Sequence, residues 1–280
     1  MSFSVHRIDR ALTLRLEKGE AENPPYVLDW QPDDVSIHIE AAEGACGCVA
    51  IVCADLLPSG ITIHAEVEHS AQLTIVTLLT TGATDCSVQQ TGSVSREGRL
   101  SWHNITLSHG VTQDLRSTVM GDGGRSDIDW IFFATGHGVQ TLSVRNVFEG
   151  RQGTGEIVMK GVAQHKAHVS ASGMIDIVLG AGGTNTYLTQ NVLMLDSSAR
   201  VDAIPALEIK TNDVKASHSA TISRVSEEDL FYFASRGIRA DDARQMYVEG
   251  FLSELTVKIG DGELRQRVKE SIGRKLREEK

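Results

Sequence analysis

Aromatic side chains are scarce in this chain: Phe, Trp and Tyr together make up 5% of its 280 residues, and proline occurs only 5 times. A core assembled from Val, Ile, Leu, Ala and Thr with few rings suits stacked strands better than a helix bundle, because β-branched side chains pack well on a pleated surface. Cysteine is also rare. Cys46, Cys48, Cys53 and Cys86 all fall in the first third, too few and too clustered for a secreted disulfide scaffold. Positive charge is in deficit, with 27 basic residues against 37 acidic ones and a formal net charge of −10, which argues against binding to nucleic-acid phosphates. No stretch approaches the length of a membrane span, and the opening MSFSVHRIDRALTLRLEKGE carries charges where a signal peptide needs an apolar run. A cytoplasmic protein with no membrane and no nucleic-acid partner is expected.

Nucleotide and hydrolase signatures are missing as well. There is no G-x-x-x-x-G-K-[ST], and the clusters GDGG (121–124) and GAGG (180–183) lack the strand-then-helix setting of a dinucleotide fingerprint. G-x-S-x-G is absent too, so a nucleophile elbow is unsupported. The chain has no visible ATP site of its own.

What is present is a succession of short β-rich runs: VSIHIEA (35–41), VAIVC (49–53), ITIHAEV (61–67), LTIVTLL (73–79), LSWHNITL (100–107), IDWIFFA (128–134), QTLSVRNVF (140–148), EIVMKGV (156–162), MIDIVL (174–179), YLTQNVLML (187–195) and ALEIK (206–210). Glycine, Ser, Asn and Asp separate them. Tight hairpins favour Asn-Gly or Asp-Gly, yet the only such pairs are Asp122-Gly123 and Asp261-Gly262. Parallel stacking needs no tight hairpins, so the pattern leans toward a β-helix over a sandwich.

From Ser226 the pattern becomes helical. Ser226 serves as an N-cap before Glu227, Glu228 and Asp229, and Gly237 ends the first helix. A second helix begins at Asp241 with Ala243, Met246, Tyr247, Gly250, Phe251 and Leu255 or Leu252 on one face. Leu264, Val268, Ile272 and Leu276, spaced by four, write a third. The expected organisation is a lead-in (1–34), a β-helix core (35–225) and a C-terminal helical region (226–280).

Metal candidates are weak. Cys46-x-Cys48 with Cys53 lacks the paired C-x-x-C spacing of a structural zinc site. His165 and His168, read as strand residues at odd separation, would point to opposite faces. His64 and Glu66 share a face, with His69 nearby. His218, between Ser217 and Ser219, stands at the hand-over from the last β segments to the first helix. The acidic residues look scattered rather than paired in a groove, which disfavours a β-helix polysaccharide lyase or hydrolase.

The stretch 187–255, from YLTQNVLML through PALEIKTNDVKASHSAT and SEEDLFYFASRGI to VEGFLSEL, closely resembles the SufB/SufD family of iron–sulfur cluster assembly scaffold proteins. The likeness covers roughly residues 100–260. It implies an all-β body, a right-handed parallel β-helix with a small C-terminal helical segment, and pairing through the β-helices. It also implies a SufC-like ATPase docked on the C-terminal helices, through Phe231, Phe233 and Arg236, and a SufB-like subunit or a second copy of the chain as the pairing partner. The chain looks more like SufD: positions where family members carry thiols are Ala199 and Ala216 here, while His218 remains. The resemblance makes His218 the candidate ligand or proton relay for a transient iron–sulfur cluster at a subunit interface. It implies no firmly bound cofactor and a scaffold, not an enzyme. The alternative is a structural homodimeric β-helix protein that has lost cluster chemistry.

Overall fold

The computed structural model describes residues 3–8, 10–18, 25–29, 35–53, 60–80, 85–225 and 227–277. The first strands are β1 (Phe3–Ile8), β2 (Ala11–Leu16), β3 (Tyr26–Asp29), β4 (Ser36–Ala41), β5 (Cys46–Cys53) and β6 (Gly60–Val67). They are followed by β7 (Gln72–Leu79), β8 (Cys86–Val94), β9 (Arg99–Thr106), β10 (Val111–Val119), β11 (Arg125–Ala134) and β12 (Val139–Phe148). The last are β13 (Thr154–Ala163), β14 (His168–Ile177), β15 (Thr184–Met194), β16 (Arg200–Ile209) and β17 (Val214–Arg224), then the helices α1 (Glu227–Ser235), α2 (Ala240–Thr256) and α3 (Gly262–Arg277).

Even-numbered strands from β2 to β16 pair in parallel to form one sheet, to which β1 adds antiparallel; odd-numbered strands from β3 to β17 form the second. Each turn of the chain lays one strand in each sheet, and about seven turns stack into a solenoid. The β body, parallel β-helix and C-terminal helices expected from the sequence are all present. Within the expected core, β8, β10 and β17 fall where the sequence shows no β-rich run, and β14 and β16 begin six residues before the runs at 174–179 and 206–210. The segment expected as a lead-in contains β1, β2 and β3, which join both sheets. Ser226 lies outside the described residues. No helix among the described residues is long and apolar enough to cross a membrane.

Alternation along each strand sends one set of side chains between the sheets. On β11, Ile128, Trp130 and Phe132 point into this interior, while Ile131 and Phe133 point out. Phe132 is opposite Gly161 on the next strand, and a Cβ at 161 would sit 1.8 Å from the Phe132 ring. Only glycine leaves room there.

The interior is not wholly apolar. Asn104 Nδ2 donates to Gln90 Oε1 at 2.8 Å, Gln113 Nε2 donates to the same oxygen at 2.8 Å, and Thr106 Oγ1 donates to Gln113 Oε1 at 2.8 Å. Trp130 Nε1 completes the chain by donating to Thr106 Oγ1 at 3.0 Å. A one-residue slip would turn every one of these groups outward, so the ladder fixes the register of successive turns.

The outer face of the second sheet carries a second apolar cluster. Ile105, Ile131, Phe133, Val162 and Leu193 meet Val248, Leu252 and Leu255 of α2 and Leu264, Val268 and Ile272 of α3. The α3 stripe matches its expected spacing. On α2, Met246 is exposed and lines, with Gly250, the groove between α2 and α3. Val248 turns inward instead, because the stripe 248–252–255 is the one that meets the sheet. Lysines pin this layer: Lys160 pairs with Glu254, Lys258 Nζ reaches Asp129 Oδ1 at 2.7 Å, and Lys275 Nζ lies 2.8 Å from His109 Nε2.

Candidate functional site

The solenoid ends in an uncovered turn. Strands β16 and β17 are the last in their sheets, and among the described residues nothing stacks beyond them. Register carries the interior face out to this end. Leu188, Gln190 and Val192 of β15 stand opposite His218, Ala220 and Ile222 of β17. In the other sheet, Ala171, Gly173, Ile175 and Ile177 stand opposite Ala203, Pro205, Leu207 and Ile209. On the buried turn Leu188 is fully enclosed, but on the last turn Ile209 is 42% exposed and Ile222 46%. Two strand edges with unpaired backbone groups flank this half-apolar end, a ready template for another chain.

His218 therefore sits on the interior-facing side of the terminal strand, exposed, its side chain making no hydrogen bond to any described residue. Ala216, two residues before it on the same side, is half-buried and packs against the core. Ala199 lies buried in the turn before β16. Neither brings sulfur to the end turn. The four thiols are far back in the chain, on β5 and β8. Burial pushes the Cys48 thiol up to about 12, with a smaller push from the Asp261 carboxylate. Burial likewise pushes Cys53 up to about 12, with Cys86 adding to it. Thiols held protonated in this way are poor metal ligands and poor nucleophiles.

Beside the end turn, Arg145 Nη2 donates to Asp176 Oδ2 at 2.5 Å and lies 3.5 Å from Glu208 Oε2. Lys210, 2.8 Å away, holds the Glu208 carboxyl below its usual range by hydrogen bonding, and is itself held above its usual range in return. Sequence reading missed this charged rim because its members lie on three different strands.

Two features of the chain now meet: a parallel β-helix and a histidine on the face of its open end. A family model described as "SUF system FeS cluster assembly, SufBD core domain" matches residues 35–251. The chain belongs to the SufBD family. A relative named "Iron-sulfur cluster assembly protein SufD" from Bacillus subtilis (strain 168) is 28% identical over 255 residues, covering 90% of this chain and 53% of the relative. SufD of Escherichia coli (strain K12) is 39% identical over 117 residues, 42% of this chain and 28% of that protein. A SufBD family protein of Mycobacterium bovis is 26% identical over 242 residues, 86% of this chain and 28% of its own length. The chain thus spans about half, or less, of the length of these relatives.

The other candidates fall elsewhere. On α1, Phe231 is 74% exposed and Arg236 lies over the Tyr232 ring at 5.2 Å, while Phe233 is half-buried. Tyr232, 58% exposed, is a surface aromatic that sequence reading passed over. Gly237 has φ +77°, and the Ile238 N–H closes onto Phe233 O at 3.1 Å, the left-handed stop expected for this helix. His64 Nε2 does bond Glu66 Oε1 at 2.9 Å, but His69 turns away to Arg96 O. His165 is in a turn with φ +57°, not on a strand with His168, so the opposite-face argument does not apply to it. Among the described residues no three His, Cys, Asp or Glu side chains are arranged to hold a metal ion.

Proposed function

We propose that the chain is a non-catalytic scaffold subunit of iron–sulfur cluster assembly in the cytoplasm. It pairs through its open end turn with a SufB-like chain, docks a SufC-like ATPase on α1, and presents His218 to a nascent cluster that is cargo rather than resident cofactor. The observation that carries this reading is His218 standing exposed and unbonded on the uncovered interior face of the last strand. A neutral imidazole is a good iron ligand. Pairing another chain against β16 and β17 would cover the half-exposed apolar end and enclose His218 at the same time.

Ala199 and Ala216 favour a second reading, a self-paired structural protein without cluster chemistry, since the end turn has no thiol. One experiment tests the proposal and separates the two. The chain is mixed anaerobically with iron and sulfide, alone and with SufB-like and SufC-like proteins, and the sulfide-to-iron charge-transfer absorbance is followed. The scaffold reading expects absorbance above that of the SufB-like protein alone, lost in His218→Asn. No gain from adding this chain, with a stable self-dimer by light scattering, would replace it with the second reading.

A further inference from the structure

A cleft of about 820 Å³ opens between the α2–α3 corner and the outer face of the second sheet, a size typical of small-molecule sites. Strand register builds its floor. Cys48, Thr74, Ser101 and Asp127 stand side by side on β5, β7, β9 and β11, and His103 stands beside Asp129 two residues further along. Glu156 on β13 follows, its N–H donating to Asp127 Oδ1 at 3.2 Å. Lys258 and Asp261 close the cleft from the corner. The acidic residues are therefore gathered on one face, contrary to the scattered distribution expected from the sequence. Beyond this band the same face is apolar and lies under α2 and α3.

The cleft's own cations are already committed. Arg125 Nε donates to Asp127 Oδ2 at 2.5 Å, and Lys258 Nζ donates to Asp129 Oδ1 at 2.7 Å. Glu156 and Asp261 have no ion pair among the described residues, and Asp261 spends one oxygen on the Leu264 N–H at the start of α3. His103 is only 8% exposed, and its Nδ1 makes no hydrogen bond, although Asp129 Oδ2 lies 3.3 Å away out of alignment. A buried polar atom without a partner is costly. What the cleft offers is thus acceptors: two carboxylates in excess of its cations, two hydroxyls and an imidazole. Since among the described residues no three metal-ligating groups converge, an organic cation fits this set better than a metal ion.

We propose that this cleft binds small ligand groups bearing ammonium or guanidinium donors, with Glu156 as the acceptor at its β13 end and Asp261, with the Thr74 and Ser101 hydroxyls and His103, as the acceptors toward its β5 end. Such a group could arrive on a free amine or on a Lys or Arg side chain of a bound peptide. The test is isothermal titration of the full chain with agmatine, with an acetyl-Gly-Arg-Gly amide, and with neutral 1,5-pentanediol as control. Binding of either cation with a dissociation constant below about 1 mM is expected. Agmatine binding alone identifies a free amine, and peptide binding alone identifies a side chain. The Glu156→Gln/Asp261→Asn pair should weaken binding at least about ten-fold, since charge-assisted hydrogen bonds are lost; Asn at 261 still caps α3. If the double variant does not fold, Glu156→Gln alone on its exposed strand position should show weakening of the same sign. Absence of binding by both cations up to about 10 mM, equal binding of the diol, or unchanged affinity in a folded variant would overturn the proposal.

Discussion

At the scale of single residues, His218 and the buried cysteines differ in what each side chain is free to do. The His218 side chain makes no hydrogen bond or ion pair with a described residue, so its replacement removes no such bond. His218→Asn and His218→Ala should each leave the melting temperature within about 2 °C of the parent, because exposed positions seldom move stability, while cluster assembly is lost. A fall of many degrees would show a structural role for the ring. The cysteines behave in the opposite way. Cys48 and Cys53 are raised from an ordinary 9.0 to about 12, so the folded protein keeps protons that the unfolded chain releases. A group whose folded value is raised contributes stability that is complete below its unfolded value and lost as pH climbs through the window up to its folded value. Thermal melts between about pH 8 and about pH 11 should therefore fall more steeply for the parent than for a Cys48→Ala/Cys53→Ala variant. Parallel slopes would contradict the assigned burial.

At the scale of elements, α1 differs from its neighbours. Helices α2 and α3 bury their stripes against the second sheet, whereas α1 leaves Phe231 and Tyr232 in solvent with Arg236 stacked over Tyr232. Exposed aromatics with an adjoining arginine are what a docking surface presents. Arg236→Glu should slow association with a SufC-like ATPase, and Phe231→Ala should speed its dissociation about ten-fold or more, with circular dichroism unchanged in both. Unaltered pull-down by both variants would place docking elsewhere. Elements also differ in how plainly the sequence announces them. Strands such as IDWIFFA are apolar on both faces, since one side enters the core and the other lies under helices, and they are legible at once. Strands β8 and β10 are not, because their inward positions include Gln90, Gln113 and Ser117, which look like loop residues until the ladder that satisfies them is seen. Strand β17 is polar for another reason: as the uncovered end it has less interior to fill. In the sequence the candidate site is legible only as His218 within the stretch 187–255 that resembles the SufB/SufD family. Its position on the interior-facing side comes from register, which no local pattern reports. The cleft was hidden likewise, since Cys48, Ser101, Asp127 and Glu156 become neighbours only when turns stack.

At the scale of the whole molecule, β16 and β17 are the last strands at the C-terminal end of the solenoid, as β1 and β3 are at the other end. Backbone groups inside the stack are paired on both sides, but β16 and β17 each keep one edge unpaired, beside Ile204, Ile209 and Ile222. A partner laid on this end would satisfy the edges, cover the isoleucines and bury well over about 1,000 Å² in total. The charged rim of Arg145, Asp176, Glu208 and Lys210 borders the same end and would set the partner's orientation. Hydrogen–deuterium exchange of the chain with and without a SufB-like protein tests this most directly. Amides of residues 200–224 should gain strong protection in the mixture, while those of β9 and β11 inside the stack stay unchanged. Exchange in 200–224 that is unaffected by a partner shown to bind would contradict pairing through the open end, and with it the role given to His218.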